Sequence, residues 1–457
     1  MATSPTRRLF GTDGVRGEAG RFPLDAATIQ TMGRSLATRL TERLGRPPVI
    51  IVGRDTRESG AWLENALIAG ATLGSAVCKS AGVITTPGVA FLARELNADA
   101  GVVISASHNP YQDNGVKIFS PSGRKLDDET ERLIERDMHA VTDAASPAKQ
   151  EVAGSASEEP TLQARYLNFL EHEIADGLSL SNQTIVLDTA NGAASALAPV
   201  LFEKLGARVI AINNTPDGRN INLNCGSLHI ESLQEKVIAA GATLGIAFDG
   251  DADRALFVDA KGRFVDGDAT LWVLANYLHS RDELTEGLVI ATVMSNIGLE
   301  IALRSLGLRL IRTDVGDKYV LEELLRSGAS LGGEQSGHII FPRISLAGDG
   351  MITALCLLRA MVEEEKPLGA LTDGFERYPQ ILVNVKVKEK RPFAEMDLVR
   401  NLAEATEAKL GENGRLLLRY SGTEALARIM IEGQDQTEID AYANELAAAI
   451  QQSIGLT

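Results

Sequence analysis

The sequence predicts an α/β protein in which three related α/β units with mixed sheets surround a central cleft and a smaller α+β domain follows. The main observation is an internal repeat. Three times, a short β-branched apolar run leads into a turn, a helical stretch and a Leu-Gly pair. The pattern then changes near Tyr378 to alternating apolar and polar residues, followed by a helical stretch and two more strands. The C-terminal part is therefore expected to differ in fold from the repeats.

The three copies of the repeat share one order of elements. Their apolar runs are Val49–Val52, Thr184–Leu187 and Leu288–Ile290. The helices predicted after these runs lie near Gly60–Ala71 in the first copy, and run through Lys204 and Ser305 in the other two. A strand, a helix and a second strand at this spacing favour a βαβ unit with a parallel pair, because strands covered on both faces have continuous apolar runs.

A further apolar strand follows each copy and ends in a polar loop. These strands are Ala100–Ile104, Leu244–Phe248 and Leu331–Gly333, and the loops after them begin at Ser105, Asp249 and Glu334. Ligands of α/β sheets bind beyond the carboxyl ends of the strands. We therefore expect the three loops to line one shared cleft.

These patterns predict four domains. The predicted limits are residues 1–157, 158–258 and 259–376 for the α/β domains and 377–457 for the C-terminal domain. The segment Asp143–Pro160 is rich in Ala, Ser, Pro and charged residues, which is typical of a linker or an exposed loop.

Composition limits the classes of function. Hydrophobic residues make up 44% and charged residues 23% of the 457 residues, as in soluble globular proteins. The net charge of −16 argues against nucleic acid and anionic membranes as partners. Three scattered cysteines and the lack of an apolar region after the N-terminal arginines favour a cytoplasmic protein. An anionic substrate would then require cations gathered locally.

The strongest single motif is Asp249-Gly-Asp251-Ala-Asp253, followed by Arg254. Three carboxylates on alternate residues after an apolar strand can converge on one hard cation such as Mg²⁺ or Mn²⁺. An EF-hand loop is excluded, because its sixth and twelfth positions would be Arg254 and Ala260 instead of Gly and Glu. The alternative is an acidic surface turn. Metal binding is favoured, because carboxylates this close repel one another unless a cation offsets them.

The loop Ser105–Pro110 places Ser107 at a strand end, where a serine can act as a nucleophile or phosphate carrier. His108 and Lys117 supply nearby positive or proton-transferring groups. The alternative is that the serine and asparagine side chains only hydrogen-bond their own turn. No G-x-S-x-G sequence surrounds Ser107, so a hydrolase elbow is excluded.

The third loop, Gly332–His338, contains Glu334, Ser336 and His338, which suit binding of sugar hydroxyls or acid–base work. For His338 the alternative is a hydrogen-bonded core histidine. Two further turns carry a cation each: a Gly-rich turn near the N-terminus carries Arg16, and the Asp314–Lys318 segment ends in Lys318.

A fourth motif is the turn from Arg419 to Glu424, with Arg428 just beyond it. Hydroxyls and backbone N–H groups between two arginines can hold a dianionic phosphate. The alternative is an ordinary hairpin turn with surface arginines.

Together these motifs, in this order from Phe10 to Gly433, resemble the α-D-phosphohexomutase superfamily. The resemblance implies four domains around a deep cleft, with a C-terminal domain resembling the TATA-binding-protein fold. It implies a phosphosugar mutase of the isomerase class that acts through a phosphoserine and a 1,6-bisphosphate. Glucosamine 6-phosphate and glucosamine 1-phosphate are the expected substrate and product, as in the synthesis of amino sugars and peptidoglycan precursors. Glucose or mannose phosphates are the alternative.

The resemblance also implies a role for each motif residue. Ser107 would be the phosphoserine, and its oxygen would bind one Mg²⁺ together with Asp249, Asp251 and Asp253. Lys117 and His338 would be acid–base candidates, Arg16 and Arg254 would stabilise the transferring phosphoryl group, and His108 would assist beside them. Glu334, Ser336 and Lys318 would contact the sugar phosphate. The non-reacting phosphate would be bound by Arg419, Ser421, Gly422, Thr423 and Arg428.

The resemblance further implies glucosamine 1,6-bisphosphate or a similar hexose 1,6-bisphosphate as activator, and it allows a homodimer. In one departure from the family pattern, Ala425 stands where proline is usual, which removes a φ restraint but no hydrogen-bond donor.

Two other classes of function stay open at this point. An apolar strand ending in Asp249 also fits an aspartyl-phosphate phosphatase of the haloacid dehalogenase type, in which Asp249 instead of Ser107 would carry the phosphoryl group. The second is a catalytically silent sugar-phosphate sensor with the same fold.

Overall fold

The structure is a computed structural model that describes residues 8–11, 14–120, 122, 126–142, 157–421 and 424–456. It contains two compact units, one formed by Met1–Val293 and Arg312–Thr372 and the other by Met294–Ile311 and Asp373–Thr457. Within the described ranges, no helix combines the length and apolar character needed to cross a bilayer. The limits predicted for the four domains stay predictions.

The first sheet of the first unit is mixed. Its strands are β1 (Phe10–Gly11), β2 (Gly14–Glu18), β3 (Val49–Arg54), β4 (Val77–Val83), β5 (Ala100–Ile104) and β6 (Asp113–Phe119), in the order β1–β2–β6–β5–β3–β4. The associated helices are α1 (Ala26–Leu44), α2 (Gly60–Leu73), α3 (Thr86–Glu95) and α4 (Asp128–Thr142). Strand β3 pairs in parallel with β4 and β5, and β6 returns antiparallel to β5. The parallel pair predicted for the first repeat is confirmed.

The second sheet repeats this arrangement. Its elements are α5 (Pro160–Phe169), β7 (Thr184–Asp188), α6 (Ala198–Lys204), β8 (Arg208–Ile212), α7 (Glu231–Ala240), β9 (Leu244–Phe248), β10 (Ala255–Asp259) and β11 (Phe264–Val265), and its strand order is β11–β10–β9–β7–β8. Strand β7 is parallel to β8 and β9, whereas β10 returns antiparallel to β9.

The third sheet is smaller. Its elements are α8 (Gly267–His279), β12 (Leu288–Thr292), α9 (Ile297–Ser305), β13 (Arg309–Thr313), α10 (Asp317–Ser327), β14 (Leu331–Gly333), β15 (Ile339–Ile340), α11 (Gly350–Glu363) and α12 (Leu368–Leu371), with the strand order β13–β12–β14–β15. Strand β14 is parallel to β12, and β15 returns antiparallel to β14. Helix α9 belongs to the second compact unit, and β13 spans the boundary between the units. The helices predicted to run through Lys204 and Ser305 end at those residues, as expected.

The predicted linker Asp143–Pro160 is only partly described. Residues 143–156 lie outside the described residues, and the prediction is wrong at its C-terminal end. Glu158 forms a bridge with Ser80, and Pro160 is the first residue of α5. Proline suits this position because its fixed φ matches the helix and its missing N–H is not needed in the first turn.

The second unit has a three-stranded antiparallel sheet. Its elements besides α9 are β16 (Gln380–Lys386), α13 (Asp397–Leu410), β17 (Arg415–Tyr420), β18 (Leu426–Glu432) and α14 (Gln436–Ile454), with β18 between β16 and β17. The sheet buries one apolar face against α13 and α14, and the core residues include Val399, Ile429 and Leu446. The predicted C-terminal α+β domain is confirmed, although the sequence reasoning did not include α14.

A buried carboxylate ties α9 to this sheet. Glu432 is inaccessible to solvent and accepts hydrogen bonds from Asn296 Nδ2 at 3.3 Å and from the first helical N–H of α9, that of Ile297, at 3.2 Å. Arg415 donates to the same carboxylate from Nε at 2.9 Å and pairs with it through Nη2 at 2.8 Å. Residues 294–311 thus pack with the C-terminal part of the chain because one charge in the sheet is neutralised and fully hydrogen-bonded there.

We predict that Glu432→Gln destabilises the second unit by about 3 kcal/mol, because Arg415 then loses its buried anionic partner. Native-state hydrogen exchange of the β17 and β18 amides measures this local free energy. Glu412→Gln is the matched control, since Glu412 is 86% exposed and lies 3.7 Å from Arg304. It should change the same free energy by less than about 0.5 kcal/mol. Equal losses in the two variants would contradict the role assigned to Glu432.

Candidate active site

The three polar loops predicted from the sequence leave equivalent strands of the three sheets. β5, β9 and β14 each lie parallel to the first strand of their repeat, and each is followed by an antiparallel return strand. The loops connect these pairs at the carboxyl ends of the parallel strands. They meet in the first unit, where Ser107 contacts Asp249 and His338 lies 3.6 Å from Asp253. The predicted convergence of the loops is therefore seen in this unit.

The acidic loop forms a compact cluster. Asp249, Asp251 and Asp253 are buried, and one ligand oxygen from each lies within 4.8 Å of the others. Lys117 Nζ lies 2.7 Å from Asp251 Oδ2 and 3.5 Å from Asp253 Oδ2. Thr86 Oγ1 also donates to Asp251 Oδ2, at 2.6 Å. The alternate spacing of the aspartates thus does place their side chains together.

The three carboxyl groups differ in their electrostatics. Burial and the charges of Asp253 and Asp251 raise the pKa of Asp249 well above its ordinary value. Burial would also raise the pKa of Asp253, but Lys117, His338 and Arg254 outweigh it and hold that pKa well below the ordinary value. Oδ1 of Asp251 is buried without a hydrogen-bond partner. Oδ1 of Asp253 is also buried and faces His338 Nδ1 at 3.6 Å and Arg254 Nε at 3.8 Å, beyond hydrogen-bond distance. Oxygen atoms left unsatisfied beside a repelling carboxylate suit a hard divalent cation, so the residues present fit a metal ion.

Ser107 stands at the centre of its loop. Its Oγ donates to Asp249 Oδ2 at 2.6 Å, and its backbone has a φ of +52°, which is uncommon for a residue other than glycine. His108 Nδ1 lies 3.2 Å from Ser107 Oγ and 3.2 Å from Arg254 Nη1. Burial and the charges of Arg254 and Arg16 lower the pKa of His108 to about 4. His108 is therefore neutral near pH 7. The positive charge of Lys117 lies against Asp251 and Asp253 of the acidic cluster.

Arg16 and Arg254 surround the serine loop with further positive charge. Arg16 on β2 is opposite Gly115 on β6, and because side chains alternate along a strand, it shares a face of the sheet with Lys117. Burial opposes the charge of Arg254, but the neighbouring carboxylates, Asp253 first, raise its pKa. The site therefore concentrates cations in a protein whose overall charge is strongly negative.

The third loop brings an acid and a histidine. Glu334 Oε1 accepts from the N–H of Gly316 at 3.1 Å, and Ser336 Oγ donates to Glu334 Oε2 at 3.3 Å. Burial lowers the pKa of His338, but Asp253 outweighs burial and raises this pKa to about 9. Lys318 lies on the segment that holds Glu334. Its Nζ is 3.7 Å from Asp128 in α4, and its side chain lines a cavity of about 540 Å³.

The predicted phosphate turn lies in the second unit. Arg419 on β17 and Arg428 on β18 are directly opposite each other, which is unfavourable for like charges unless an anion offsets them. Glu424 Oε2 lies 3.4 Å from Arg428 Nη2 and offsets part of this charge. Ser421 is buried, and its Oγ accepts from the N–H of Glu424 at 3.2 Å. Lys390 Nζ donates to the Ser421 carbonyl at 2.6 Å. Gly422 and Thr423 lie outside the described residues, so their predicted role stays a prediction.

Several polar contacts at these sites were missed in the sequence reasoning. The residues are Asp55, Arg57, Thr86, Asn222 and Lys390. The one sequence signal for Asp55 and Arg57 was their position in the charged turn Arg54–Arg57 after the first apolar strand of the repeat. Asn191 and Asn296 occupy the corresponding turns after the second and third apolar strands. Thr86 and Asn222 had no such signal, because they reach the site across more than 100 residues of sequence.

Family comparison agrees with the fold and the site. Four family models match in order: the α/β/α domain I of phosphoglucomutase/phosphomannomutase at residues 7–145, domain II at 164–262, domain III at 266–378 and the C-terminal domain at 382–449. The chain belongs to the phosphoglucomutase/phosphomannomutase family of phosphohexomutases.

Relatives within that family are named phosphoglucosamine mutase. The chain is 46% identical to the phosphoglucosamine mutase of Solibacter usitatus over 447 residues, which cover 98% of this chain and 99% of the relative. It is also 46% identical to that of Myxococcus xanthus over 452 residues, covering 99% and 98% of the two chains.

Solved structures show the same fold at low sequence identity. A phosphoglucomutase/phosphomannomutase family protein of Burkholderia thailandensis has a TM-score of 0.78 at 22% identity, with 98% of this chain and 99% of that chain covered. N-acetylphosphoglucosamine mutase of Aspergillus fumigatus, solved with GlcNAc-6P and magnesium, has a TM-score of 0.64 at 18% identity, with 97% and 95% covered.

We predict that Asp249→Asn weakens binding of Mg²⁺ or Mn²⁺ at least about 100-fold, because an oxygen ligand and its charge are lost. The metal-free variant should be at least as stable as the wild type, because repulsion among the three carboxylates is relieved. Calorimetric titration measures the affinity, and thermal unfolding with and without metal measures the stability.

Asp188→Asn is the matched control, since Asp188 is another buried strand-end carboxylate in the same sheet. It accepts from the N–H groups of Ala190 at 2.9 Å and Gly226 at 3.0 Å, and from Asn213 Nδ2 at 2.9 Å. This control should lose about 1–3 kcal/mol of stability and keep its metal affinity. If Asp249→Asn also lost stability and kept its metal affinity, the acidic cluster would be only structural.

Proposed function

We propose that this chain interconverts glucosamine 6-phosphate and glucosamine 1-phosphate as an intramolecular phosphotransferase of the isomerase class. The observation that carries the proposal is the 2.6 Å hydrogen bond from Ser107 Oγ to Asp249, inside a buried cluster of three carboxylates facing Lys117. The choice of an amino sugar depends on the relatives named phosphoglucosamine mutase, which are 45–46% identical over nearly the whole chain.

In the proposed reaction, Ser107 carries the phosphoryl group. The bond between phosphorus and Ser107 Oγ breaks while a bond to the free sugar hydroxyl forms. The hydroxyl proton passes to a basic group of the site. Lys117 and His338 are the acid–base candidates, and either would accept the proton in its unprotonated form, which for His338 is the minor form near pH 7. The resulting 1,6-bisphosphate reorients, and Ser107 Oγ then takes the other phosphoryl group as the sugar oxygen recovers a proton. Arg16 and Arg254 offset the charge that is shared among the phosphoryl oxygens during each transfer.

The acidic cluster and the serine would hold one divalent metal ion, for which we propose Mg²⁺. Its ligands would be Asp249, Asp251, Asp253 and an oxygen of Ser107 or of its phosphate. When bound, the metal would supply neutralising charge next to the phosphoryl group. A hexose 1,6-bisphosphate would act as activator, since it can phosphorylate a serine that has lost its phosphate.

Other residues would bind the parts of the substrate that do not react. We propose Glu334, Ser336 and Lys318 for the sugar. For the second phosphate we propose Arg419, Ser421, Gly422, Thr423 and Arg428. The opposed arginines support this role, because a dianionic phosphate would offset their mutual repulsion more fully than the exposed carboxylate of Glu424 does. The net charge of −16 supports an enzyme without nucleic-acid or anionic-membrane partners, and the three scattered cysteines support a cytoplasmic location. The family resemblance allows a homodimer.

The first prediction of this proposal concerns the sugar. The value of kcat/KM for glucosamine phosphate should exceed those for glucose and mannose phosphates by about tenfold or more, or roughly 1.4 kcal/mol in the transition state. Coupled assays with Mg²⁺ and a trace of hexose 1,6-bisphosphate measure these values. A preference for glucose or mannose phosphate would keep the serine mechanism and overturn the proposed substrate.

The second prediction concerns the phosphorylated residue. Protein treated with ³²P-labelled hexose 1,6-bisphosphate should carry a label that resists hydroxylamine, because a phosphoserine ester does not react with it and an acyl phosphate does. Ser107→Ala should take up no label and lose turnover. A hydroxylamine-labile label that persists in Ser107→Ala and disappears in Asp249→Asn would identify an aspartyl-phosphate enzyme instead.

A further inference from the structure

The backbone of the serine loop is held by two side chains that have no role in the proposed chemistry. Arg57 Nη2 donates to the carbonyl oxygens of Ser107 at 3.1 Å and Asn109 at 2.6 Å. Asn222 Nδ2 donates to the same two oxygens, at 2.9 and 3.0 Å. Each carbonyl therefore accepts two hydrogen bonds, one from a side chain beside the first sheet and one from a side chain beside the second. We call Arg57 and Asn222 the carbonyl clamp.

Arg57 is itself fixed in position. It is 2% exposed, its N–H donates to Asp55 Oδ1 at 2.9 Å, and its Nη1 pairs with Asp55 Oδ2. Ser105 Oγ donates to that same Oδ2 at 2.6 Å and accepts from the N–H of Ser107 at 2.9 Å. The hydrogen bonds thus form a closed circuit from Asp55 through Arg57 and the serine loop back to Asp55, and a buried guanidinium held in this way has little freedom to move.

Asn222 connects the loop to the acidic cluster. It follows β8 in the second sheet, and its N–H donates to the Ala190 carbonyl at 2.9 Å. A Cβ placed on Gly250, between the first two aspartates of the cluster, would lie 2.5 Å from the Ser107 carbonyl oxygen and 2.9 Å from Asn222 Nδ2. The absence of a side chain at Gly250 lets the two loops approach this closely, so the clamp sets the serine loop against the acidic loop.

The clamp holds a backbone conformation that Ser107 would not adopt freely. A φ of +52° costs a non-glycine residue roughly 1 kcal/mol and persists where the surroundings determine it several times over. Ser105 Oγ holds the N–H of Ser107, and the clamp holds its carbonyl. The peptide planes on both sides of the Ser107 Cα are therefore fixed, and with them the direction of its Cα–Cβ bond. Without the clamp, relaxation to negative φ would move Oγ away from Asp249.

We propose that Arg57 and Asn222 are positioning residues that set the reactive oxygen of Ser107 through its backbone. This inference rests on the proposed function, because it takes Ser107 to be the phosphoryl carrier. The clamp would govern the rate of phosphoryl exchange at Ser107 and not the binding of the sugar phosphate, since neither side chain belongs to the groups proposed to bind substrate.

The test measures phosphorylation of Ser107 directly. Full-length protein is mixed with a stoichiometric amount of glucose 1,6-bisphosphate and Mg²⁺, and intact-protein mass spectrometry follows the phosphoprotein in a single turnover. Arg57→Lys keeps a positive charge beside Asp55, but one ammonium group cannot hydrogen-bond both carbonyls and Asp55 in the geometry of the guanidinium. We therefore expect phosphorylation of Ser107 to be about 100-fold slower in this variant. Asn222→Ala should slow it about tenfold, because Arg57 remains. The KM for sugar phosphate should change less than about threefold in both variants.

Arg54→Lys and Asn220→Ala are the matched controls. Arg54 lies in the same turn and pairs with Glu64 and Glu158, and Asn220 lies two residues before Asn222 and bonds Thr215. Both should phosphorylate at the wild-type rate, and thermal unfolding of all four variants separates loss of fold from loss of position. If Arg57→Lys does not fold, Asn222→Ala carries the test, since Asn222 is only half-buried.

The outcomes distinguish the two proposals. A wild-type protein that takes up no phosphate on Ser107 would overturn the proposed function and the clamp with it. If the wild type is phosphorylated on Ser107 and both Arg57→Lys and Asn222→Ala are phosphorylated at the wild-type rate, the role of the clamp alone is overturned. The clamp would also be overturned if the controls slowed as much as the clamp variants, or if the loss appeared in KM with kcat unchanged.

Discussion

The burial of three carboxyl groups within 4.8 Å of one another is the constraint on which the site depends. Ionised carboxylates removed from water destabilise a fold unless opposite charges and hydrogen bonds compensate. Lys117 and His338 supply part of that compensation, and their asymmetric placement holds the pKa of Asp253 down while the pKa of Asp249 stays raised. The negative charge that remains uncompensated is the physical reason why a divalent cation suits this place.

Topology explains how such distant residues meet. In each α/β repeat, a parallel strand (β5, β9 or β14) is followed by a loop and then by an antiparallel strand. The three loops therefore occupy equivalent positions in their sheets. One copy contributes Ser107, the next the acidic cluster, and the third Glu334 and His338. The copies have kept one backbone plan and diverged in the chemistry of a single loop. A multi-group site can thus be assembled without any one segment containing all the reactive residues.

The sequence predicted those parts of the molecule that depend on local pattern. Continuous apolar runs predicted the parallel strands, and the spacing of the aspartates on alternate residues predicted that their side chains form one cluster. It could not predict Arg57 or Asn222, because their hydrogen bonds to the serine loop join residues 50 to 115 positions apart. It also could not predict that residues 294–311 pack with the C-terminal sheet, because Glu432 looks like an ordinary polar residue at a strand end. Long-range polar contacts leave no periodic signal.

The proposed reaction places a limit on where sugar specificity can arise. A bisphosphate that reorients presents each of its phosphates in turn to Ser107 and to the second phosphate site, so both sites must accept either phosphate. In that reaction the cations around Ser107 and the opposed arginines Arg419 and Arg428 would recognise charge, which the phosphates of glucose, mannose and glucosamine share. Discrimination must therefore come from groups that contact the sugar ring. Among the residues proposed for the sugar, Glu334 and Ser336 offer hydrogen-bond acceptors and Lys318 offers donors, and the hydrogen bond from Gly316 fixes the orientation of Glu334.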